Sequence, residues 1–134
     1  MGKVIEKIRL QNFSDPSRSV EVEAAVDTGA TILALPMEVI EELGLQKFKD
    51  VQVRYADHRT ATRPVYGVVT LEIQGRVGHF DALAEERGTE PLIGQTVLEE
   101  LDLVVNPKSR SVAPNPDSPD LPTLEMLGFS LRHS

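Results

Sequence analysis

The sequence has no cysteine and no tryptophan, and aromatic residues make up only 4% of it. The lack of cysteine excludes disulfides, thiolate nucleophiles and zinc sites built on cysteine, and it agrees with a reducing compartment. The three histidines, His58, His79 and His133, lie far apart in the chain, with no acidic cluster beside them. We therefore expect neither a metal site nor a metal cofactor.

The sequence also lacks long apolar runs and an excess of positive charge. No run approaches the roughly 18 apolar residues that cross a bilayer, and residues 1–6 contain no apolar segment typical of a secretory leader. The net charge of −7 disfavours a nucleic-acid-binding face. We expect a cytoplasmic protein that binds neither membranes nor nucleic acids.

The chain of 134 residues has the length of one domain. Five of its nine prolines lie between Pro107 and Pro122. This shift in composition predicts a domain over residues 1–106 and a proline-rich extension over 107–134, which we expect to be a surface linker. The apolar residues 121–131 are expected to dock on the domain surface.

Apolar residues alternate over many short segments, which predicts a mostly β fold with two short helices. Pro36 fits the first position of one helix and Gly44 its left-handed end. The second helix is expected from Gln95 to about Leu101. The predicted strands cover residues 4–13, 20–26, 32–35, 51–55, 65–73, 79–84 and 103–105.

The chemically informative motif is Asp27-Thr28-Gly29, which directly follows the apolar strand 20–26. Gly29 lets the backbone fold close to the carboxylate and offer its N–H, and the Thr28 hydroxyl both donates and accepts hydrogen bonds. Average residue usage produces this tripeptide by chance in about a few per cent of chains of this length. In its apolar frame the Asp27 carboxylate is expected to be partly buried.

A second element, Leu92-Ile93-Gly94, follows Pro91. Leu92 and Ile93 supply apolar walls, and Gly94 leaves room for the Asp27 strand to pass. Together the two elements resemble the retropepsin-like (clan AA) aspartic peptidases, most closely the single-domain bacterial and cellular members. The resemblance covers residues 3–106.

The resemblance implies a closed acid-protease half-barrel with two short helices and one half of an active site. A homodimer then brings Asp27 of two chains together. Two facing carboxylates share one proton, so that one acts as a general base toward water while the other polarises the scissile carbonyl. The substrate is a peptide or protein in extended conformation, and no cofactor takes part.

Residue by residue, the resemblance makes Asp27 catalytic and assigns active-site support to Thr28, Gly29, Leu92, Ile93 and Gly94. Substrate binding falls to Ala30, Thr31, Asp57, His58 and Arg59, the last three at the tip of a β-hairpin flap near residues 56–60.

The chain departs from the retroviral pattern at three positions. Thr31, Ile32 and Gln95 stand where retroviral members carry acids and an arginine. Proline removes backbone donors, so residues 114–122 cannot form a terminal interface strand. An interface strand would have to come from the N-terminal strand or from the segment after Pro122.

Two alternatives stay open at this level. The first is a catalytically silent retropepsin-fold module that dimerises or binds peptides, for which an aspartate at position 27 is unnecessary. The second is a monomer that dimerises only on a substrate or a partner. Asp27→Asn separates the enzyme from the silent module.

Overall fold

The computed structural model describes residues 3–128, which form a mostly β fold with two short helices, as predicted. The strands are β1 (Ile5–Asn12), β2 (Ser19–Val26), β3 (Leu33–Pro36), β4 (Gln46–Arg54), β5 (Thr60–Ile73), β6 (Arg76–Glu85), β7 (Leu92–Ile93), β8 (Leu103–Asn106) and β9 (Ser111–Pro114). The helices are α1 (Met37–Leu43) and α2 (Gln95–Glu100).

The main sheet closes on itself. Its strands follow the order β1-β2-β7-β3-β6-β5-β4, and β1 also pairs with β5, which completes a circuit of strand pairings and leaves β4 on the outside. The pairings β2–β7 and β3–β6 are parallel, and the others in this sheet are antiparallel. The circuit encloses the main core, whose largest fully buried side chains include Ile8, Leu10, Leu35, Leu71 and Ile93.

The limits of α1 follow from two residues with special backbones. Pro36 is the last residue of β3 and lies just before the helix with φ −66°, one position earlier than predicted. Gly44 ends the helix in the left-handed region at φ 65°, and its N–H donates to the Glu41 carbonyl at 3.0 Å. Glycine suits this position because it adopts positive φ without a steric cost.

Strand β4 begins at Gln46, five residues before the predicted start at Val51. Its first half is exposed, and Phe48 is 52% exposed. The strand lies at the outer edge of the sheet and pairs only with β5 among the described strands. An edge strand needs no buried face along its whole length, so the apolar alternation that marks a strand is missing here.

The surface linker expected from Pro107 onward is wrong over residues 111–114, which form β9 and pair with β8. Val112 is 2% exposed and belongs to the main core, and its N–H donates to the Glu6 carboxylate at 2.9 Å. Pro114 fits because it is the last residue of the strand. The division of the chain at residue 106 stays a prediction.

The segment after β9 is held by polar side chains. The buried guanidinium of Arg76 donates to the Leu101 carbonyl at 2.9 Å and also to the Ser118 carbonyl. The expected docking of residues 121–131 is wrong for the described part, since Leu121 and Leu127 are 75% and 86% exposed. Residues 129–131, like His133, lie outside the described residues.

Neither α1 nor α2 has the length and apolar character of a membrane span, and no other helix occurs within residues 3–128.

Candidate active site

The backbone of β7 fixes the point at which Asp27 leaves the sheet. In the parallel β2–β7 pair, Ala25 lies opposite Leu92 and Val26 opposite Ile93. The next residue along, Asp27, donates its N–H to the Ile93 carbonyl at 3.0 Å. The apolar pair expected to support the site therefore contacts this turn through its backbone, and its supporting role stays a prediction.

The turn after Asp27 closes around its own carboxylate. The Gly29 N–H donates to Asp27 Oδ1 at 2.9 Å, and the Ala30 N–H donates to the Asp27 carbonyl at 3.1 Å. A Cβ atom at Gly29 would lie 3.2 Å from Asp27 Oδ1. Glycine thus allows the amide to approach the carboxylate with no side chain crowding it.

The first turn of α2 holds the next part of this loop. The Gln95 N–H donates to the Ala30 carbonyl at 2.8 Å, and the Thr96 N–H donates to the Thr31 carbonyl at 2.9 Å. The Thr96 hydroxyl also donates to the Thr31 carbonyl, at 2.6 Å. N–H groups in the first turn of a helix have no partner within the helix, so here the loop after Asp27 satisfies them.

Gly94 makes this contact between helix and loop sterically possible. A Cβ atom at Gly94 would lie 2.6 Å from the Ile32 carbonyl oxygen and 2.8 Å from that of Ala30. Both atoms belong to the backbone and cannot rotate away. The loop 27–32 and the start of α2 therefore fit together only with glycine at position 94.

A cavity of about 690 Å³ opens beside Asp27. Of the predicted site residues, the cavity is lined by Asp27, Gly29, Ala30, Thr31 and Leu92. Strands β3, β4, β5 and β6 add both apolar and polar side chains to the lining: the apolar ones are Ala34, Val51, Val53, Val65 and Leu83, and the polar or charged ones are Lys49, Gln52, Arg54, Asp81 and Glu85.

Asp27 is exposed in the single chain, so the expected partial burial is wrong for one copy. Asp27 lines the cavity, and the neighbouring Val26 and Ala30 are only partly buried. The apolar frame around the motif therefore supports the strand and turn rather than enclosing the carboxylate.

The other predicted support residues lie behind the cavity wall or beside it. Ile93 is fully buried and Gly94 is buried, whereas Thr28 is exposed. Thr28, Ile93 and Gly94 do not line the cavity. Their predicted supporting roles differ accordingly, with Ile93 and Gly94 acting on the backbone beneath Asp27.

The β4–β5 hairpin turns at residues 55–59, within one residue of the predicted flap tip. The Tyr55 N–H donates to the Arg59 carbonyl at 2.8 Å, and His58 adopts φ 68°. Asp57 Oδ1 accepts from the Arg59 N–H at 3.0 Å. The side chains of Asp57, His58 and Arg59 are exposed and do not line the cavity of the single chain, so their role in substrate binding stays a prediction.

A polar cluster at the edge of the cavity consists of residues outside the predicted set of site residues. The Tyr55 hydroxyl donates to the Glu85 carboxylate at 2.9 Å and accepts from Arg63 Nε at 3.0 Å. Arg63 also forms an ion pair with Glu86 at 3.2 Å. The hydrogen bond to Tyr55, followed by the contacts with the two glutamates, raises the pKa of Arg63 despite its desolvation.

This cluster joins residues 30 positions apart in the chain. The register of β5 against β6, in which Val65 lies opposite Leu83, extends to bring Arg63 opposite Glu85. Only that register would have revealed the cluster, because neither residue stands in a local motif.

The closed sheet, the Asp-Thr-Gly turn and the glycine before α2 define a retropepsin-like aspartyl protease domain. The family model described as gag-polyprotein putative aspartyl protease matches residues 18–100, more than half of the chain, and the chain belongs to this family. The matched span runs from the start of β2 to the end of α2 and includes Asp27, the hairpin and Gly94. A comparison with curated protein sequences finds no match to this chain.

Proposed function

We propose that this chain is an aspartic endopeptidase that hydrolyses peptide bonds as a homodimer, with water activated by Asp27 of both chains. The observation that carries the proposal is the placement of Asp27. Its carboxylate stands at the end of β2, receives the Gly29 N–H, and borders a cavity large enough for substrate side chains. Membership in an aspartyl protease family supports the same chemistry.

The need for a second copy follows from the chemistry of the reaction. One carboxylate must take a proton from water while a protonated group polarises the scissile carbonyl. Residues 3–128 contain one Asp-Thr-Gly turn and so supply one such aspartate, Asp27, whose carboxylate is exposed. A two-fold axis beside this exposed face would place two Asp27 side chains opposite each other, as an isologous interface does.

Hydrolysis in this site needs only water and the two carboxylates. The water oxygen bonds to the carbonyl carbon as its proton passes to the ionised Asp27, and the protonated Asp27 gives its proton to the carbonyl oxygen. The carbon–nitrogen bond then breaks as the amine nitrogen takes up the proton of one carboxyl group, while the other carboxylate takes a proton from a hydroxyl of the tetrahedral diol. The dyad returns to its singly protonated state, and the products are an acid and an amine.

The cavity wall indicates which side chain the substrate places beside Asp27. Ile32, Val53, Leu83 and Leu92 present apolar surface there. Burial of apolar substrate surface against them is favourable. We expect cleavage next to apolar residues of a peptide that lies extended between the hairpin and the Asp27 turn.

The first test is digestion of a complex peptide mixture at increasing enzyme concentration. The wild type should cleave it at a rate that rises faster than linearly with enzyme, because dimers form in proportion to the square of the monomer. Asp27→Asn should lower the rate about a thousandfold, as loss of a general base does. Asp120→Asn, at an exposed position distant in sequence, is the matched control and should retain the wild-type rate.

Three outcomes would change the proposal. Absence of cleavage by a folded wild-type dimer would favour the silent peptide-binding module. Equal rates for wild type and Asp27→Asn would exclude Asp27 as the catalytic group. Sedimentation as a monomer until peptide is added would favour assembly on the substrate. The cytoplasmic location expected from the sequence stays a prediction, which fractionation of expressing cells would check.

A further inference from the structure

The far end of the β4–β5 hairpin projects beyond the rest of the sheet. The pair nearest the tip in the β5–β6 ladder is Val65 opposite Leu83, whereas β4 and β5 stay paired with each other as far as Arg54 and Thr60. Residues 53–63, called here the projecting end, therefore have no ladder hydrogen bonds to the body of the domain within residues 3–128. Side chains must set their angle over the cavity.

The cluster of Tyr55, Arg63 and Glu85 is placed to do this. Tyr55 and Arg63 belong to the projecting end, whereas Glu85 is the last residue of β6 and lies opposite Pro36 in the β3–β6 ladder. The Tyr55 hydroxyl lies 3.0 Å and 2.9 Å from the two Glu85 carboxylate oxygens. The hairpin is thus tied to a strand of the fixed cavity wall.

The hydrogen bonds of the Tyr55 hydroxyl with Arg63 and Glu85 are strong and specific. The Tyr55 hydroxyl accepts from a guanidinium and donates to a carboxylate, and hydrogen bonds with a charged partner are stronger than neutral ones. The Arg63 and Glu85 side chains are only 20% and 17% exposed, so water competes little for them. Tyr55 and Glu85 both line the cavity that Asp27 borders.

We propose that Tyr55 is a positioning residue, whose hydroxyl holds the projecting end over the Asp27 cavity by bridging Arg63 and Glu85. The effect of this position on peptide cleavage rests on the proposed function, whereas the position itself does not. Removal of the hydroxyl takes away both of its hydrogen bonds and leaves the ion pair of Arg63 with Glu85 at 3.4 Å, so the hairpin is loosened but not released, and its own ladder remains.

The kinetic consequence falls on substrate binding. If peptide binds when the projecting end covers the cavity, the apparent affinity scales with the fraction of molecules in that state. Tyr55→Phe should raise KM about fivefold, the scale of one lost hydrogen bond, with kcat nearly unchanged. A residue that merely stabilised the fold would lower the amount of active enzyme and leave KM alone.

The position of the hairpin can be measured directly because the chain has no cysteine. Nitroxide labels on Thr62→Cys, exposed on the projecting end, and on Glu100→Cys, exposed on α2, would report the distance between hairpin and body. Mixing labelled chains with a large excess of unlabelled chains keeps one labelled pair in each dimer. Pulsed electron–electron double resonance then gives the distance distribution without any substrate.

The comparison uses two tyrosines that stand near the same hairpin. Tyr55→Phe should broaden the distance distribution, whereas Tyr66→Phe, in β5 outside the cavity lining, should leave it as in the wild type. Glu85→Gln keeps an acceptor for the Tyr55 hydroxyl, so it should broaden the distance distribution less than Glu85→Ala does. The double variant Tyr55→Phe/Glu85→Ala should match Glu85→Ala, because the hydroxyl acts through the carboxylate.

Identical distributions for wild type, Tyr55→Phe and Glu85→Ala would overturn the proposal. Broadening with an unchanged KM would overturn its catalytic part alone. Since the distances are measured on the free protein, a failure of the peptidase proposal would leave this test intact.

Discussion

The two sides of the candidate active site are held in opposite ways. The Asp27 loop is fixed by backbone atoms, with N–H groups of Asp27, Gln95 and Thr96 donating to carbonyls of β7 and of the loop itself. The projecting end of the hairpin is tied to the body by side chains, through the contacts of Tyr55 and Arg63 with Glu85 and the packing of Val53. The position of the Asp27 loop is therefore fixed by the backbone, whereas the position of the hairpin depends on a few side chains that can be substituted.

This difference predicts two patterns of sensitivity. Substitutions beneath the Asp27 loop meet carbonyl oxygens that cannot move without disturbing the sheet, so they should cost stability. Substitutions in the hairpin cluster release a tie while the core stays intact, so they should alter binding. Under the proposed function, catalytic geometry would thereby be separated from substrate access.

The largest expected effect is that of Gly94→Ala. The added methyl would lie 2.6 Å from the Ile32 carbonyl oxygen, a backbone atom, and the loop and helix would have to separate. We expect a loss of about 3 kcal/mol in the free energy of unfolding, as for overpacking in a well-packed site. Urea denaturation measures it.

The matched control for Gly94→Ala is Gly128→Ala, where an added methyl meets no atom within 4 Å. Its unfolding free energy should change by less than about 0.5 kcal/mol. Equal midpoints for the two variants would show that the backbone contact at Gly94 does not hold the Asp27 loop.

Gly29→Ala should have a smaller effect on stability and a clear effect on activity. Its methyl would lie 3.2 Å from Asp27 Oδ1, and the exposed Asp27 side chain can move aside. We expect less than about 1 kcal/mol of destabilisation. Peptide cleavage should fall about tenfold or more, because misplaced catalytic groups cost rate. Parallel denaturation and kinetic assays would check this, and an unchanged rate would contradict it.

The smallest effect concerns a second region held by side chains, the segment after β9. The amide of Thr123, donating to Asp102 at 3.0 Å, and the Asn115 side chain lower the pKa of Asp102 from its ordinary 3.8. Its ionised form is thus favoured in the folded chain. The stabilisation is complete at neutral pH and is lost as the pH falls below 3.8 through the lower folded value.

Nuclear magnetic resonance would follow this loss at single amides. On acidification, the Thr123 N–H signal should shift with the titration of Asp102, and in Asp102→Asn that titration should be absent. The Gln95 N–H, which donates to a neutral carbonyl, should show no step at the same pH. Coincident steps at both amides would contradict the separation of the two regions.

Local signals in the sequence predicted much of this fold. Pro36 and Gly44 bounded α1 to within one residue, and Asp27, Leu92 and Gly94 marked two elements that the structure brings together. These predictions succeeded because a single residue can impose a constraint on the backbone. Proline fixes φ, and glycine permits a positive φ or a close approach of two backbone segments.

The failures arose where structure depends on distant partners. β9 was missed because Val112 is the only buried residue of this four-residue strand, and the rest of the domain buries it. The Tyr55–Glu85 contact depends on the register between two strands, which no local pattern encodes. The exposure of Asp27 depends on what surrounds the turn in the folded chain, which no local pattern encodes.

The parallel pairing of β2 with β7 also sets an order of events during synthesis. Asp27 emerges early, but the carbonyls of Ala30 and Thr31 find their donors only when Gln95 and Thr96 have been made. Loop closure over such a long separation in sequence is slow compared with local folding. A nascent chain therefore carries Asp27 before its loop is fixed, and a truncated product that ends before α2 would lack these hydrogen bonds.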